Sequence, residues 1–214
     1  MPVIFEHLAQ PTDDELARIR HIYESNCPPV MQKPFGVIAE GSQDGSVTVL
    51  IARDEDSPGR IVGMVTLAQL AGTRTLYFGY LAVEQRLHNR GIGTELFRYT
   101  VQFATDRTAA EALVWEVEAP EPGDLTHIHN RRIRFYERLG AQVVTLAGSY
   151  RMPDGNPGDG TIPLRLMWYP LRGRTTPPRK PEVASWIQDI YDLVYPGSEA
   201  LAAQLIAELD NPVG

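Results

Sequence analysis

Two stretches of this sequence carry residue types whose spacing could do chemistry. The first is "RLHNRGIGTELF", Arg86 to Phe97, where Gly91 and Gly93 stand one residue apart just before an apolar stretch at helical spacing. Glycine lets the backbone come close to a ligand, with no Cβ in the way. The first amides of a helix have no internal partners and lie at the positive end of its dipole. The segment therefore suits an anion, with His88 and Arg90 as nearby donors, or else a plain helix-starting turn. Spacing excludes two familiar phosphate sites. A dinucleotide fingerprint needs a third glycine where Leu96 stands, and the G-x-x-x-x-G-K-S/T loop of nucleoside-triphosphate enzymes occurs nowhere. The second stretch is "WEVE", Trp115 to Glu118. Strand alternation puts Glu116 and Glu118 on one face, with Trp115 and Val117 on the other. Adjacent carboxylates raise each other's pKa, which suits a base working near neutrality. The pair could equally neutralise a cationic substrate, or be solvated charges of an edge strand.

The elements that must position these residues follow from patterning. "PVIFEHL" reads as a strand. "TDDE" at 12–15 is a capping box that opens a helix marked by Leu16, Ile19 and Tyr23. Pro28, Pro29 and Pro34 break that helix into a loop. Strands rich in Val, Ile and Thr follow at 46–54, 60–70 and 75–83. The last of these, nearly all apolar, is expected to be a central strand buried on both faces. Helical spacing recurs at Ile92, Leu96, Tyr99 and Phe103, and "ALVWEVE" at 112–118 is a further strand. After the loop "APEPGDLTH", residues 131–140 read as a helix stopped by Gly140. "AQVVTLA" and "IPLRLMWYPL" close the sheet. A Pro- and Arg-containing linker at 173–181 leads to two amphipathic helices, marked by Trp186, Ile190 and Leu193 and by Leu201, Leu205 and Leu209. The order is not the regular alternation of a doubly wound nucleotide-binding fold. We expect an α/β (α+β) chain: a central twisted, mixed, mostly antiparallel sheet flanked by helices over 1–172, with a C-terminal helical extension over 173–214.

"YLAVEQRLHNRGIGTELF" resembles the acetyl-CoA-binding segment of the GNAT superfamily, the acetyl-CoA-dependent N-acyltransferases. There a strand ending L-x-V leads into Q/R-x-x-G-x-G/A and a helix. Leu81, Val83, Gly91 and Gly93 stand where that pattern puts them, and the resemblance covers about residues 2–170. It implies a GNAT-like fold. It also implies that backbone groups along Leu81, Ala82 and Val83 pair with the pantetheine arm, with this strand splayed from its neighbour. The amides of His88, Asn89, Arg90, Gly91, Ile92, Gly93 and Thr94 would cradle the pyrophosphate. His88 stands where the family keeps Gln or Arg, so a permanent charge is replaced by one that can be lost near neutral pH.

Acetyl transfer to an amine needs a neutral nucleophile, although a lysine-like amine has a pKa of about 10.4. The departing thiolate is best protonated as it leaves. "FYERLG" at 135–140 resembles the family's tyrosine helix, which implies that Tyr136 is the general acid. A phenol is protonated at neutral pH and can donate to a thiolate. Read from periodicity alone, Tyr136 is a core residue on a helix's inner face. Ala141 departs from the family's aromatic residue after Gly140. His129 occupies the slot of a family asparagine, with Asn130 one place later, and both are candidates for contact with pantetheine. Glu116 falls where ribosomal-protein N-terminal acetyltransferases carry a glutamate that can serve as base, with Glu118 or a water as alternatives.

The resemblance thus implies an N-acetyltransferase using acetyl-CoA as cosubstrate, by direct attack in a ternary complex and without a metal. The acceptor would be an amine-bearing small molecule or protein. The rivals are a non-catalytic coenzyme A-binding regulatory or interaction module, and an acyltransferase for longer acyl chains. An apolar stripe on the C-terminal helices would suit interaction with a partner or a homodimer. Loops at 24–38, 119–128 and 150–160 are the least generic segments and are expected to set specificity.

Composition narrows the partners. The 214 residues are 43% hydrophobic and 22% charged, fitting one globular domain with an appendage. A net charge of −7 disfavours a nucleic-acid partner. No apolar run reaches the roughly 18 residues of a membrane span, and no basic-then-apolar opening marks a secretory signal. Cys27 is the only cysteine, so no intrachain disulfide and no cysteine-rich zinc site can form. His127 and His129 have no acidic or cysteine partner at metal spacing. The expectation is a cytoplasmic protein with no metal, no nucleic acid and no membrane.

Overall fold

The computed structural model describes residues 2–57, 59–124, 126–146, 148–154 and 160–209. Of the segments expected to set specificity, residue 125 and residues 155–159 lie outside the described residues. The chain divides into two units: residues 1–69 with 78–109, and residues 70–77 with 110–214.

The first unit runs β1 (Val3–His7), α1 (Asp13–Asn26), α2 (Phe35–Asp44), β2 (Val47–Asp54), β3 (Ile61–Gln69), the later part of β4 (Thr75–Val83) and α3 (Ile92–Arg107). The capping box forms as read. Glu15 N donates to Thr12 Oγ1 at 3.3 Å, and Thr12 N donates to Glu15 Oε2 at 2.9 Å. Ile19, Ile22 and Tyr23 of α1 then pack with Ile38, Val49, Ile51, Ile61, Met64 and Ala82 as one apolar cluster. Strands β1, β2, β3 and β4 lie side by side in that order, with β1 and β3 both antiparallel to β2.

One expectation fails here, and a second holds only in part. The prolines after α1 do not leave a plain loop: Pro29–Met31 form a 3-10 turn, and α2 starts directly after Pro34. Proline is excluded from a helix interior but not from its start, where its missing N–H has no partner to lose. β4 is central in the sheet, as expected, but the strand buried along almost its whole length is β3, exposed only at Gln69. In β4, Tyr77, Gly79, Tyr80 and Leu81 are only half-buried. Three of these alternate along one face of the strand.

The second unit contains the start of β4, then β5 (Ala112–Glu118), α4 (Ile128–Arg138), β6 (Gln142–Val143), β7 (Arg151–Pro153), β8 (Thr161–Pro170), α5 (Lys180–Val194) and α6 (Glu199–Glu208). β4 and β5 are parallel, paired only from Thr75–Tyr77 to Ala112–Val114. β8 pairs antiparallel with β5 along its whole length, and with β6 and β7. Among the described residues, the strands form a mixed sheet of eight flanked by helices. "AQVVTLA" contributes only two strand residues, and β7 is too short to show an alternating pattern in sequence. Val183, Trp186, Ile187 and Ile190 form the buried stripe of α5, whereas Leu193, expected on it, is 44% exposed.

Candidate active site

In the first unit the glycine turn is held from three sides. After β4, a 3-10 turn at Gln85–Leu87 leads to His88, and Gly91 is the N-cap position of α3. Gly91 has φ +84 and makes no side-chain cap, so the opening amides of α3 keep no internal partner. A Cβ placed on Gly91 would meet nothing within 4 Å, so its glycine answers to backbone conformation rather than to crowding. Asn89 also adopts a positive φ, of 62°. Gln85 Nε2 donates to Ser25 O at 2.6 Å, at the end of α1. His88 Nε2 lies 2.8 Å from Val83 O and 3.1 Å from Asn26 Oδ1. With two acceptors facing it, that nitrogen carries a proton, and the ring fastens the turn to β4 and α1. His88 therefore aims this nitrogen into the protein, a tie its exposed position does not advertise in sequence.

Glu84 is the residue that sequence reasoning passed over. Its carboxylate meets Arg18 at 2.9 Å, Arg60 at 2.8 Å and Arg86 at 2.5 Å. Burial raises its pKa, but the hydrogen bond from Arg60 and the charges of Arg18 and Arg60 outweigh burial and hold it below the usual value. The strand end that leads into the turn is thus anchored by an ion-pair network.

The edge of β4 can also be assigned. The Ala82 carbonyl oxygen would lie 3.3 Å from a Cβ at Gly63 of β3. By alternation, the backbone groups of Leu81 and Val83 turn to the opposite edge. Ala82 is 3% and Val83 7% exposed, so it is the backbone edge, and not burial, that distinguishes Ala82 from its two neighbours.

In the second unit the two carboxylates of β5 have different partners. Glu118 pairs with Arg132 of α4. Burial raises its pKa, but the Arg132 hydrogen bond and charge outweigh burial and leave it below the usual glutamate range. The expected mutual raising of the pair does not describe Glu118, whose nearest charge is a cation. Glu116 instead accepts hydrogen bonds from three phenols. Tyr150 Oη lies 2.7 Å from Oε1, and Tyr77 and Tyr195 lie 2.8 and 2.9 Å from Oε2. At least three of its roughly four acceptor positions are thereby occupied. Burial first, and the Glu116 charge second, push the pKa of both Tyr150 and Tyr195 well above the usual tyrosine value. Both remain donors at any physiological pH. None of the three tyrosines is a neighbour in sequence: they stand 39, 34 and 79 residues from Glu116.

Tyr136 is buried near the end of α4, its ring edge-on to Trp115 with centroids 5.0 Å apart. Asn130 donates through Nδ2 to Glu121 O at 2.7 Å and Asp124 O at 2.5 Å, which pins the loop ahead of α4. His127 caps α4 by accepting from His129 N at 3.4 Å. The H-x-H pair and Asn130 thus serve the start of this helix. Among the described residues, no group of three or more His, Cys, Asp or Glu side chains could hold a metal ion. No helix among them is long and apolar enough to cross a membrane.

Known proteins share this fold. The model of the acetyltransferase (GNAT) family matches residues 16–141. Among solved structures, a Bacteroides thetaiotaomicron protein described as a GNAT-family acetyltransferase is 21% identical, with a TM-score of 0.67, over 90% of this chain and 98% of its own. An aminoglycoside 6'-N-acetyltransferase solved with coenzyme A is 17% identical, with a TM-score of 0.62, over 81% of this chain and 99% of its own. The ribosomal-protein-S18-alanine N-acetyltransferase of Escherichia coli is 16% identical, with a TM-score of 0.57, over 82% and 99%. At these identities the likeness is one of fold. No curated protein sequence matches the chain. The match over 16–141 places the chain in the acetyltransferase (GNAT) family.

Proposed function

We propose that the protein is an N-acetyltransferase, moving an acetyl group from acetyl-CoA to a primary amine by direct attack in a ternary complex. The observation that carries this reading is the turn from His88 to Thr94. A left-handed Gly91 leads into helix amides without partners, and open space lies where a side chain would begin. These features fit a pyrophosphate held by the amides of Asn89, Arg90, Gly91, Ile92, Gly93 and Thr94, whereas the expected His88 amide is already bonded to Gln85 O at 3.1 Å. The outward edge of β4 at Leu81 and Val83 would receive the pantetheine arm. Residues 1–172 would form the transferase domain and 173–214 an extension built onto it.

Of the two carboxylates, Glu116 is the better proton acceptor, because Arg132 already neutralises Glu118. Once the amine has attacked, its nitrogen is positive and bonded to an electron-poor carbon, so even a weak base can take the proton. Three phenols hold the Glu116 carboxyl in place, where its carboxylate form would stabilise that cation before the proton moves. Tyr136 then protonates the leaving thiolate.

The test has two stages. Saturating acetyl-CoA should raise the melting temperature, and no shift would end both the enzyme and the coenzyme A-module readings. Turnover is then sought on a panel of amines. Glu116→Gln and Tyr136→Phe should each lower kcat by about a hundredfold or more, the usual share of a general acid or base. Binding of acetyl-CoA without turnover of any amine would identify a coenzyme A-binding module instead.

A further inference from the structure

We propose that helix α5 of the C-terminal segment is a positioning element for Glu116, with Tyr195 as its principal contact. This inference rests on the assignment of Glu116 as proton acceptor. Its basis is that one helix carries or reaches the elements that bring Tyr77, Tyr150 and Tyr195 to Glu116. Tyr195, the C-cap residue of α5, donates to Glu116 Oε2 at 2.9 Å. One turn earlier, Tyr191 donates to the carbonyl of Arg151, the residue after Tyr150, which donates to Oε1. Nearer the start of the helix, the fully buried Trp186 donates through Nε1 to Thr75 Oγ1 at 2.9 Å. Asp189 accepts from Gly72 N at 2.8 Å. Those two contacts fix the start of β4, which carries Tyr77, the third donor. Helix α6 adds a brace: Glu208 takes a two-pronged hydrogen bond from Arg151 at 2.8 and 2.9 Å.

A helix packed only for stability would need its apolar stripe and nothing more. Here three polar contacts and one phenol converge on a single carboxylate and its supports. Placing a phenol beside a buried carboxylate, instead of a phenylalanine, is a choice about charge. It gives the anion a donor, whereas an apolar ring would leave that lone pair unmet. Among the described residues, the groups facing Glu116 include Tyr77 from β4, Tyr150 from the segment before β7, and Tyr195 with Tyr191 from α5. Tyr195 is a positioning residue: it acts through Glu116 and not on the substrate.

The test compares Tyr195→Phe and Tyr150→Phe with Tyr191→Phe and Glu116→Gln in the full chain. Glutamate labelled with carbon-13 at the carboxyl follows Glu116 directly, its resonance assigned by its loss in Glu116→Gln. We expect Tyr195→Phe and Tyr150→Phe each to move the Glu116 titration to higher pH, with Tyr191→Phe moving it less. On an amine that the enzyme accepts, Tyr195→Phe should lower kcat about tenfold with KM for acetyl-CoA unchanged. The acid limb of the rate profile should shift in the same direction as the carboxyl titration. If the Glu116 resonance titrates in Tyr195→Phe and Tyr150→Phe as in the parent, the proposal is overturned, and the phenols only fill space. If Glu116→Gln keeps full turnover while the carboxyl titration still shifts, the assignment of Glu116 fails, although α5 does hold its charge. Should Tyr195→Phe not fold, Tyr150→Phe carries the same comparison.

Discussion

Gly91→Ala isolates what the turn asks of its glycine. At φ +84, an L-residue holds a left-handed conformation that costs about 1–2 kcal/mol. Nothing lies within 4 Å of the new Cβ, so no steric term adds to this. The strain can appear in two places. If the ligand-free turn stays left-handed, the whole cost falls on folding and lowers the melting temperature by about 2–8 °C for a chain of this size. If the turn relaxes instead, folding is spared and coenzyme A must restore the geometry on binding. The cost then appears as a loss of affinity of about 5- to 30-fold. Either way, the loss in unfolding free energy and the loss in binding free energy should sum to about 1–2 kcal/mol.

Denaturant melts give the first quantity and titration calorimetry with coenzyme A the second. Gly91→Asn provides the internal control, because asparagine tolerates this region better and Asn89 already occupies it in the same turn. Its summed loss should be the smaller. A sum near zero for Gly91→Ala would refute the reasoning, because the left-handed turn would then matter to neither folding nor binding. Equal losses for alanine and asparagine would refute it too, by showing that the backbone angle is not the cause.

Two other perturbations test the supports of the site. His88→Ala removes the ring that ties the turn to Val83 O and Asn26, and coenzyme A should bind about fivefold more weakly by calorimetry, the worth of one hydrogen bond; unchanged affinity would mean that the turn holds itself. The Glu118–Arg132 pair predicts an acid-side loss of stability. The folded pKa of Glu118 is depressed, so its contribution is present above the usual glutamate value of 4.5 and is lost as pH falls through the depressed value. Arg132→Gln should cost about 1 kcal/mol at neutral pH, discounted because Arg132 is partly exposed. It should also flatten the fall of melting temperature across that acid window; an unchanged acid slope would remove the pair from the account.

What the sequence made legible was local. Thr12 and Glu15 are three residues apart, and Gly91 and Gly93 two, so their contacts follow from the geometry of one helix start. The alternation of β5 is equally local, and it does place Glu116 and Glu118 on one face. The prolines misled because their effect depends on whether they fall inside a helix or at its start, and packing of Ile38 decides that for α2. Charge reading failed for a related reason. Two carboxylates on one face predict mutual repulsion only if nothing else approaches them. Arg132, 14 residues on, answers one of them, and phenols from 34 to 79 residues away answer the other. The face that looked like one coupled pair is therefore two separate devices: Glu118 fastens α4 to the strand, and Glu116 gathers phenols from three distant parts of the chain, of which only Tyr195 lies outside the segment where the family resemblance lies. The donors at residues 150 and 195 come from beyond the matched residues 16–141, so reading the matched segment by itself gives the carboxylate only one of these three phenols, Tyr77.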